Sequence, residues 1–420
     1  MKFEQYSLSD ALKRNLATLG FRRPTDIQFK TIPSILKGED VLAIAQTGTG
    51  KTAAFAIPII ERLHASKSSK RVEGIRCIVM VPTRELALQI GGVFEKLAQH
   101  TRVSVFTLHG GTEQDEQVRR LQNGIDILIA TPGRMFDLIN QGFIDLQYIN
   151  TLVLDEADHM LDLGFIEDIR YIKKMLTRRH QTIFMSATIN PEIKKIAYKL
   201  VKGNAIRIQL SPRDPVSRNV DHYVMFIKAD DKRFFLEQFI RDNEGSRVIV
   251  FVRTRVRAER VSKAMARVEI DTQTIHGEME QKKRIEVLNA FRAGEFDILI
   301  ATDVSARGID VPGVDYVINY DLPVKTENYV HRVGRTGRGN NRGTAISYCS
   351  VEEKPKLAEI EAFLDNPISE IRVGKKTYAH TVEVLSSAQS SHADAFSELE
   401  ALVQEKGLGE NRRPSRKKKK

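Results

Sequence analysis

At 420 residues, 41% hydrophobic and 28% charged, the chain is too long for one ordinary core and reads as a soluble globular protein of two domains with some remainder. No apolar run approaches the ~18 residues of a bilayer span, the opening MKFEQYSLSDALKR has acidic residues where a signal peptide would be apolar, and Cys77 and Cys349 stand alone, which excludes a CxxC zinc pair or a disulfide framework. The formal charge of +11 is concentrated in RRPSRKKKK at 412–420, without which +4 remains; a run of this kind is most often a solvated, disordered tail, but at this density it would also hold polyphosphate nonspecifically and with strong salt dependence.

Along the first half, runs that are apolar throughout alternate with stretches of helical period: VLAIA from 41, CIVMV from 77, DILIA from 126, TLVL from 151 and TIFM from 182. Uninterrupted apolar character predicts strands covered on both faces, as in a parallel sheet flanked by helices. AIAQTGTGKT (43–52) overlaps the first run and leads into the helical AAFAIPIIERL. In that strand-loop-helix setting Gly48 and Gly50 let backbone N–H groups wrap phosphate oxygens, Lys51 reaches the β and γ phosphates, and the Thr52 hydroxyl can ligate magnesium. Ala45 stands where the usual pattern has its first glycine. TLVLDEADHML (151–161) then sets Asp155, Glu156 and Asp158 within four positions. Carboxylates suit a helix start; beside a phosphate loop, a strand ending in Asp also suits a magnesium site, with Asp155 on the metal and Glu156 placed to activate water.

SPRDPVSRN (211–219), with two prolines and mixed charge, reads as a linker. A second strand series follows: HYVMFI from 222, VIVFV from 248, DILIA from 297, YVIN from 316 and TAISY from 344. DILIAT occurs verbatim at 126–131 and 297–302, and both copies run into loops that carry arginine. Two copies of one α/β fold are expected, with ligand loops beyond the carboxyl ends of the strands. The second copy has no Gly-rich loop after any strand. HRVGRTGRG (331–339) instead spaces Arg332, Arg335 and Arg338 three apart, the pattern of arginine fingers that stabilise transition-state charge when two domains close on a nucleotide. The expected division is a first domain over 1–208, a linker over 209–219, a second domain over 220–366, and a polar, basic, largely disordered tail over 367–420.

GFRRPTDIQ (20–28), AQTGTGKT (45–52), PTRELALQ (82–89), GG (110–111), TPGR (131–134), DEAD (155–158), SAT (186–188), VIVFVRT (248–254), QKKR (281–284), ATDVSARGID (301–310) and HRVGRTGR (331–338) follow one another without interruption. This series resembles that of the DEAD-box RNA helicases, and most closely their compact bacterial RhlE type. The resemblance implies two tandem RecA-like domains, each a mostly parallel sheet flanked by helices, with ATP and Mg2+ as cofactors and RNA, held by its backbone, as partner.

The resemblance also implies roles. Phe3 would stack on the adenine and Gln28 would read its edge, with Arg23 and Thr25 in the same motif. Gln46, Thr47, Gly48, Thr49, Gly50, Lys51 and Thr52 would surround the phosphates, and Asp310 would touch the ribose. Lys51, Asp155, Glu156, Arg335 and Arg338 would be catalytic, Thr52 and Asp155 would hold the metal, and Ser186, Thr188 and His331 would couple hydrolysis to RNA. Pro82, Thr83, Arg84, Gly110, Gly111, Thr131, Pro132 and Arg134 would hold RNA from the first domain, and Arg284, Thr302 and Gly308 from the second. The chain departs from the family pattern at Asp26, where a second proline is common, and at His159, where arginine is frequent. A cytoplasmic monomer without membrane contact is expected, its ribosomal or RNA-decay partners unspecified. Two other readings stay open on sequence: a DNA-acting translocase built on the same tandem motor, and an ATP-gated RNA clamp serving as an assembly platform without useful unwinding.

Overall fold

The computed structural model describes residues 2–45, 48–69, 73–188, 191–210, 216, 219–303, 311, 313–337 and 341–386. Gln46, Thr47, Gly308, Asp310 and Arg338, most of the expected linker, and residues 387–420 lie outside the described residues. Among the described residues no helix is long and apolar enough to cross a membrane.

Two seven-stranded sheets carry the chain. The first holds β1 Val41–Ala45, β2 Cys77–Met80, β3 Val105–Leu108, β4 Ile127–Ala130, β5 Thr151–Leu154, β6 Gln181–Ser186 and β7 Ile206–Leu210, in the order β3-β4-β2-β5-β6-β1-β7. The second holds β8 Val220–Phe226, β9 Val248–Phe251, β10 Gln273–Ile275, β11 Ile298–Ala301, β12 Tyr316–Asn319, β13 Gly343–Cys349 and β14 Ser369–Glu370, in the order β10-β11-β9-β12-β13-β8-β14. Adding seven to each number in the first order reproduces the second. Every described pairing is parallel, and the two DILIAT segments form topologically equivalent strands, β4 and β11. These are the two copies of one α/β fold that the repeat predicts.

Alternate residues of each strand enter opposite cores. Val41, Ala43, Cys77, Val79 and Ile129 face one cluster, while Leu42, Ile44, Ile78, Met80 and Leu128 face the other. Helices cover both faces, which is why these strands are apolar at every position. The second sheet divides likewise between Ile249, Phe251 and Leu299 on one side and Val248, Val250 and Ile300 on the other.

The expected boundaries move in two places. β7 runs to Leu210 and pairs with β1 along its whole length, so the first unit extends past residue 208. The second unit continues past residue 366: β14 pairs with β8, and a helix over 375–386 lays Tyr378 against Phe235, with ring centroids 4.9 Å apart. The Tyr378 hydroxyl accepts from the Lys228 N–H (3.0 Å) and donates to Asp231 (2.7 Å), in the loop that follows β8. Next in that chain, Lys232 opens the helix Lys232–Asp242, is 1% exposed, and donates to the Tyr320 carbonyl at 2.7 Å and to Glu353 at 2.5 Å.

Candidate functional site

The phosphate loop is positioned by the end of β1 and the start of the helix Lys51–Ala65. Ala45 is the last residue of β1, so the position where the loop pattern usually has glycine is extended strand here. Gly50 caps the helix at φ 88°, a left-handed conformation suited to glycine, and a Cβ there would lie 2.5 Å from Gln28 Nε2. The helix Asp26–Leu36 binds this turn from beneath: Gln28 Nε2 donates to the Gly50 carbonyl (3.1 Å) and Thr25 Oγ1 to the Thr49 carbonyl (2.8 Å). Gln28 Oε1 accepts from the Thr25 N–H at 3.0 Å. Both ends of the Gln28 amide are thus engaged inside the protein, and the side chain holds the loop as well as lining the cavity beside it. Arg23 is exposed in the turn before.

That cavity, of about 340 Å³, is walled by Phe21, Gln28, Gly48, Gly50, Lys51, Thr52, Asp155, Glu156 and Arg335 among others. Phe3, expected to stack on a base, does not face it. Its ring is 3% exposed, in the core against Tyr6 and edge-on to Phe21 at 5.9 Å. Phe21, which sequence reasoning passed over inside its own motif, presents the aromatic wall, with Phe3 packed behind it.

The three carboxylates divide their work by geometry. Asp155 follows β5 and is 3% exposed; burial pushes its carboxyl up to about 6 against the pull of the Lys51 charge. Glu156 holds φ 47° and ψ 49°, left-handed values unusual for a non-glycine residue and of the kind that cluster at functional sites. Burial alone would raise its pKa, but the hydrogen bond from His159 and the neighbouring charges of His331 and Arg335 overrule it, leaving the carboxylate ionised well below its ordinary range. Asp158 is not among the residues that wall this cavity. Its Oδ2 accepts from both the N–H and the hydroxyl of Thr188 at 2.9 Å, while Ser186 Oγ donates to the Thr188 carbonyl at 2.7 Å. Lys51 Nζ rests on the Ala45 carbonyl at 2.8 Å.

The second unit completes the cleft. His331 Nε2 lies 3.6 Å from Asp158 Oδ2, so Thr188 and His331 meet at a single carboxylate whose role the sequence did not disclose, with Ser186 one hydrogen bond behind, on the Thr188 carbonyl. Arg335, 4% exposed, donates from Nε to the His331 carbonyl at 2.9 Å and reaches the wall of the nucleotide-sized cavity. Arg332 does not act with it. It is 2% exposed, donating to Asp303 (2.9 Å), Asn319 (3.2 Å) and the Asp321 carbonyl (2.7 Å), and is a structural tie within the second unit.

The loops expected on RNA follow the carboxyl ends of β2, β3 and β4. Thr83 caps the helix Arg84–Ala98 by accepting from the Leu86 N–H, and the Arg84 guanidinium lies against Gly110 and Gly111, where any Cβ would displace it. Thr131 caps the helix Pro132–Asn140, and Arg134 donates to Gln117 at 2.8 Å. Pro82 is buried behind them. In the second unit Thr302 lies in the wall of a separate cavity of about 420 Å³, with Arg253, Thr254, His276 and, from the first unit, His159 and Asp162. Arg284 is 9% exposed and paired across the cleft with Glu85, Nε to Oε1 3.3 Å. Lys325 and Asp162 bridge the two units at 2.7 Å.

A phosphate loop, a buried Asp-Glu pair and an arginine supplied from a second parallel-sheet unit define a nucleoside triphosphatase whose site is split between two domains. The chain matches the DEAD/DEAH box helicase family over residues 25–196 and the helicase conserved C-terminal domain over 231–340. It is 38% identical over 359 residues to the DEAD-box ATP-dependent RNA helicase CshA of Bacillus cereus, covering 86% of this chain and 67% of that one. To the ATP-dependent RNA helicase CshA of Limosilactobacillus reuteri it is 39% identical over 361 residues, covering 86% and 71%. Among solved structures, S. cerevisiae Dbp5 bound to RNA and ADP BeF3 superposes with a TM-score of 0.81 at 27% identity, over 92% of this chain and 99% of that chain. The chain belongs to the DEAD-box ATP-dependent RNA helicases. These relatives do not confirm the narrower resemblance to the RhlE type.

Proposed function

We propose that the smaller cavity takes ATP with Mg2+, that the larger one is part of a groove for the RNA sugar-phosphate backbone, and that the two ligands close the same cleft. The observation that carries this reading is Arg335: it comes from the second unit, yet lines one cavity with Lys51, Asp155 and Glu156. A nucleotide there touches both units, and so does anything spanning the loops at Arg84, Gly111 and Thr131 and those at Thr302 and Arg253. Each ligand then favours the closed state and strengthens the other by the same factor.

In the nucleotide cavity Phe21 offers a face for the adenine, and the N–H groups around Gly48 and Gly50 receive the phosphates. Lys51 exchanges the Ala45 carbonyl for the β and γ phosphates. The hard oxygen donors Thr52 and Asp155 line the cavity next to Lys51, a donor set that fits Mg2+, which takes one or two protein oxygens and completes its shell with phosphate and water. Held by Thr52 and Asp155, such an ion would supply charge neutralisation to the triphosphate. Glu156, kept ionised, orients the attacking water and accepts its proton. Arg335 stabilises charge on the transferring group only when the units are closed.

Backbone contacts imply little sequence preference. A duplex held in A-form geometry cannot follow a strand gripped by both closed units, so local strand separation, reset by hydrolysis, is the expected work. The test is steady-state ATP hydrolysis with no nucleic acid, with single-stranded RNA, and with DNA of the same sequence, alongside release of a short RNA duplex. RNA-specific stimulation that Glu156→Gln abolishes supports the reading. Equal stimulation by DNA would overturn the assignment of substrate, and stimulation without duplex release would favour the clamp.

A further inference from the structure

His159 stands between the two cavities. It lies on the short helix Ala157–Asp162, is 1% exposed, and its Nδ1 is 3.4 Å from Glu156 Oε2. Its backbone N–H donates to Asp158 Oδ1 at 3.1 Å, which fixes the ring's base. Nε2 is buried with no hydrogen-bond partner among the described residues. The same ring forms part of the wall of the larger cavity, opposite Thr254, His276 and Thr302 of the second unit, and not of the nucleotide cavity. A ring of this kind packed only for volume would leave both nitrogens a cost without return, since buried polar atoms are ordinarily paired.

We propose that His159 is a positioning residue for Glu156, and that it links the RNA cavity to the hydrolytic one. Resting on the reading of Glu156 as the group that orients water, the argument is geometric. Glu156 leads into the short helix from a left-handed backbone position, which brings its carboxylate within reach of the His159 ring on the next turn. Nδ1–H of His159 donates to that carboxylate. RNA backbone occupying the larger cavity packs against the ring that makes this hydrogen bond, and holds the carboxylate toward the phosphates.

The experiment uses the full chain with His159→Leu, His159→Gln and His159→Asn, measured for kcat, for the KM of ATP and for half-saturating single-stranded RNA, with and without RNA. Asn places an amide N–H near the position of Nδ1; Gln moves it one bond outward, and Leu removes it. Loss of a hydrogen bond to a charged group predicts an RNA-stimulated kcat about ten- to a hundredfold lower in Leu and Gln, with both half-saturation constants within about twofold and the RNA-free rate less affected. Asn should recover most of the loss, which a packing role would not produce. A wild-type kcat in Leu, Asn no better than Leu, or equal losses with and without RNA would each overturn the proposal; if Leu does not fold, the Asn and Gln pair decides. Glu156→Gln separates the two levels: an active Glu156→Gln enzyme refutes the reading of the base itself, whereas an inactive one beside a normal His159→Leu refutes only the role of His159.

Discussion

Replacing Glu85 with Gln tests whether the cleft is closed by its own side chains. Glu85 is on the helix Arg84–Ala98 of the first unit and Arg284 on the helix Gln281–Ala293 of the second; they meet at 3.3 Å with side chains 4% and 10% exposed. Burial lowers the pKa of Arg284 and the Glu85 charge opposes that. At this separation, with an effective dielectric of about 20, the Coulomb attraction is about 5 kcal/mol, and removing one partner of a buried pair costs about 3–5 kcal/mol. Arg284 has further contacts, so we take the lower end, about 3 kcal/mol or roughly a hundredfold in an equilibrium constant. The chain can avoid this cost without unfolding, because opening the units returns Arg284 to water. The loss should therefore appear in closure: half-saturating RNA in the ATPase assay rises by about a hundredfold, fluorophores on the two units report a smaller closed fraction with ATP analogue and RNA, and the melting temperature hardly moves. In a double-mutant cycle Glu85→Gln and Arg284→Gln should not add. Additive effects, or a lowered melting temperature with unchanged RNA dependence, would refute the reasoning. If Arg284 instead served RNA alone, Arg284→Gln would weaken RNA binding and Glu85→Gln would leave it intact.

Phe21→Ala removes the aromatic wall of the nucleotide cavity and should raise the KM for ATP by about tenfold, the scale of one lost stacking contact, while kcat with RNA holds; an unchanged KM would return the stacking role to another residue. Gly111→Ala puts a side chain at φ 79° against the Arg84 guanidinium, and should weaken RNA half-saturation with little effect on the KM for ATP, as read by RNA titration of the ATPase. Glu353 accepts from Lys232, Arg253 and the Leu322 N–H. Burial opposes its ionisation, but the Lys232 charge and these donors outweigh it and hold its carboxyl below the ordinary range. A depressed carboxylate contributes stability that is complete above its unfolded pKa of about 4.3 and is lost as pH falls through the folded value, so wild-type unfolding curves should converge on those of Glu353→Gln in acid and exceed them by about 3 kcal/mol near neutrality.

The central strands were legible because both faces are covered: all ten apolar runs read from the sequence are strands. The four that were missed, β3, β7, β10 and β14, are the edges of the two sheets. There burial is partial or alternating, and the continuous apolar signal fails for a physical reason. The phosphate loop, the Asp-Glu pair and Arg335 were legible because each chemistry demands a residue type at fixed spacing from a strand. Burial was not. Nothing in the spacing says that Phe3 lies behind Phe21 rather than in front of it, or that Arg332 turns inward while Arg335 reaches out. Nor does it say that Asp158 joins Thr188 to His331, because residues 30 and 173 positions apart meet only through the folded sheets.

The matching strand orders allow the two units to be compared position by position. In both units the first residue of the helix after the first strand is a lysine. Lys51 is one and Lys232 the other. Lys51 lines the cavity that Arg335 closes from the second unit. Lys232 is locked to Glu353 and the Tyr320 carbonyl, and the loop before it binds the hydroxyl of Tyr378. The loop and helix start that hold a phosphate-sized turn in the first unit are thus occupied in the second by its own side chains, Tyr378 and Lys232. The second sheet instead contributes Arg335 to the cavity of the first.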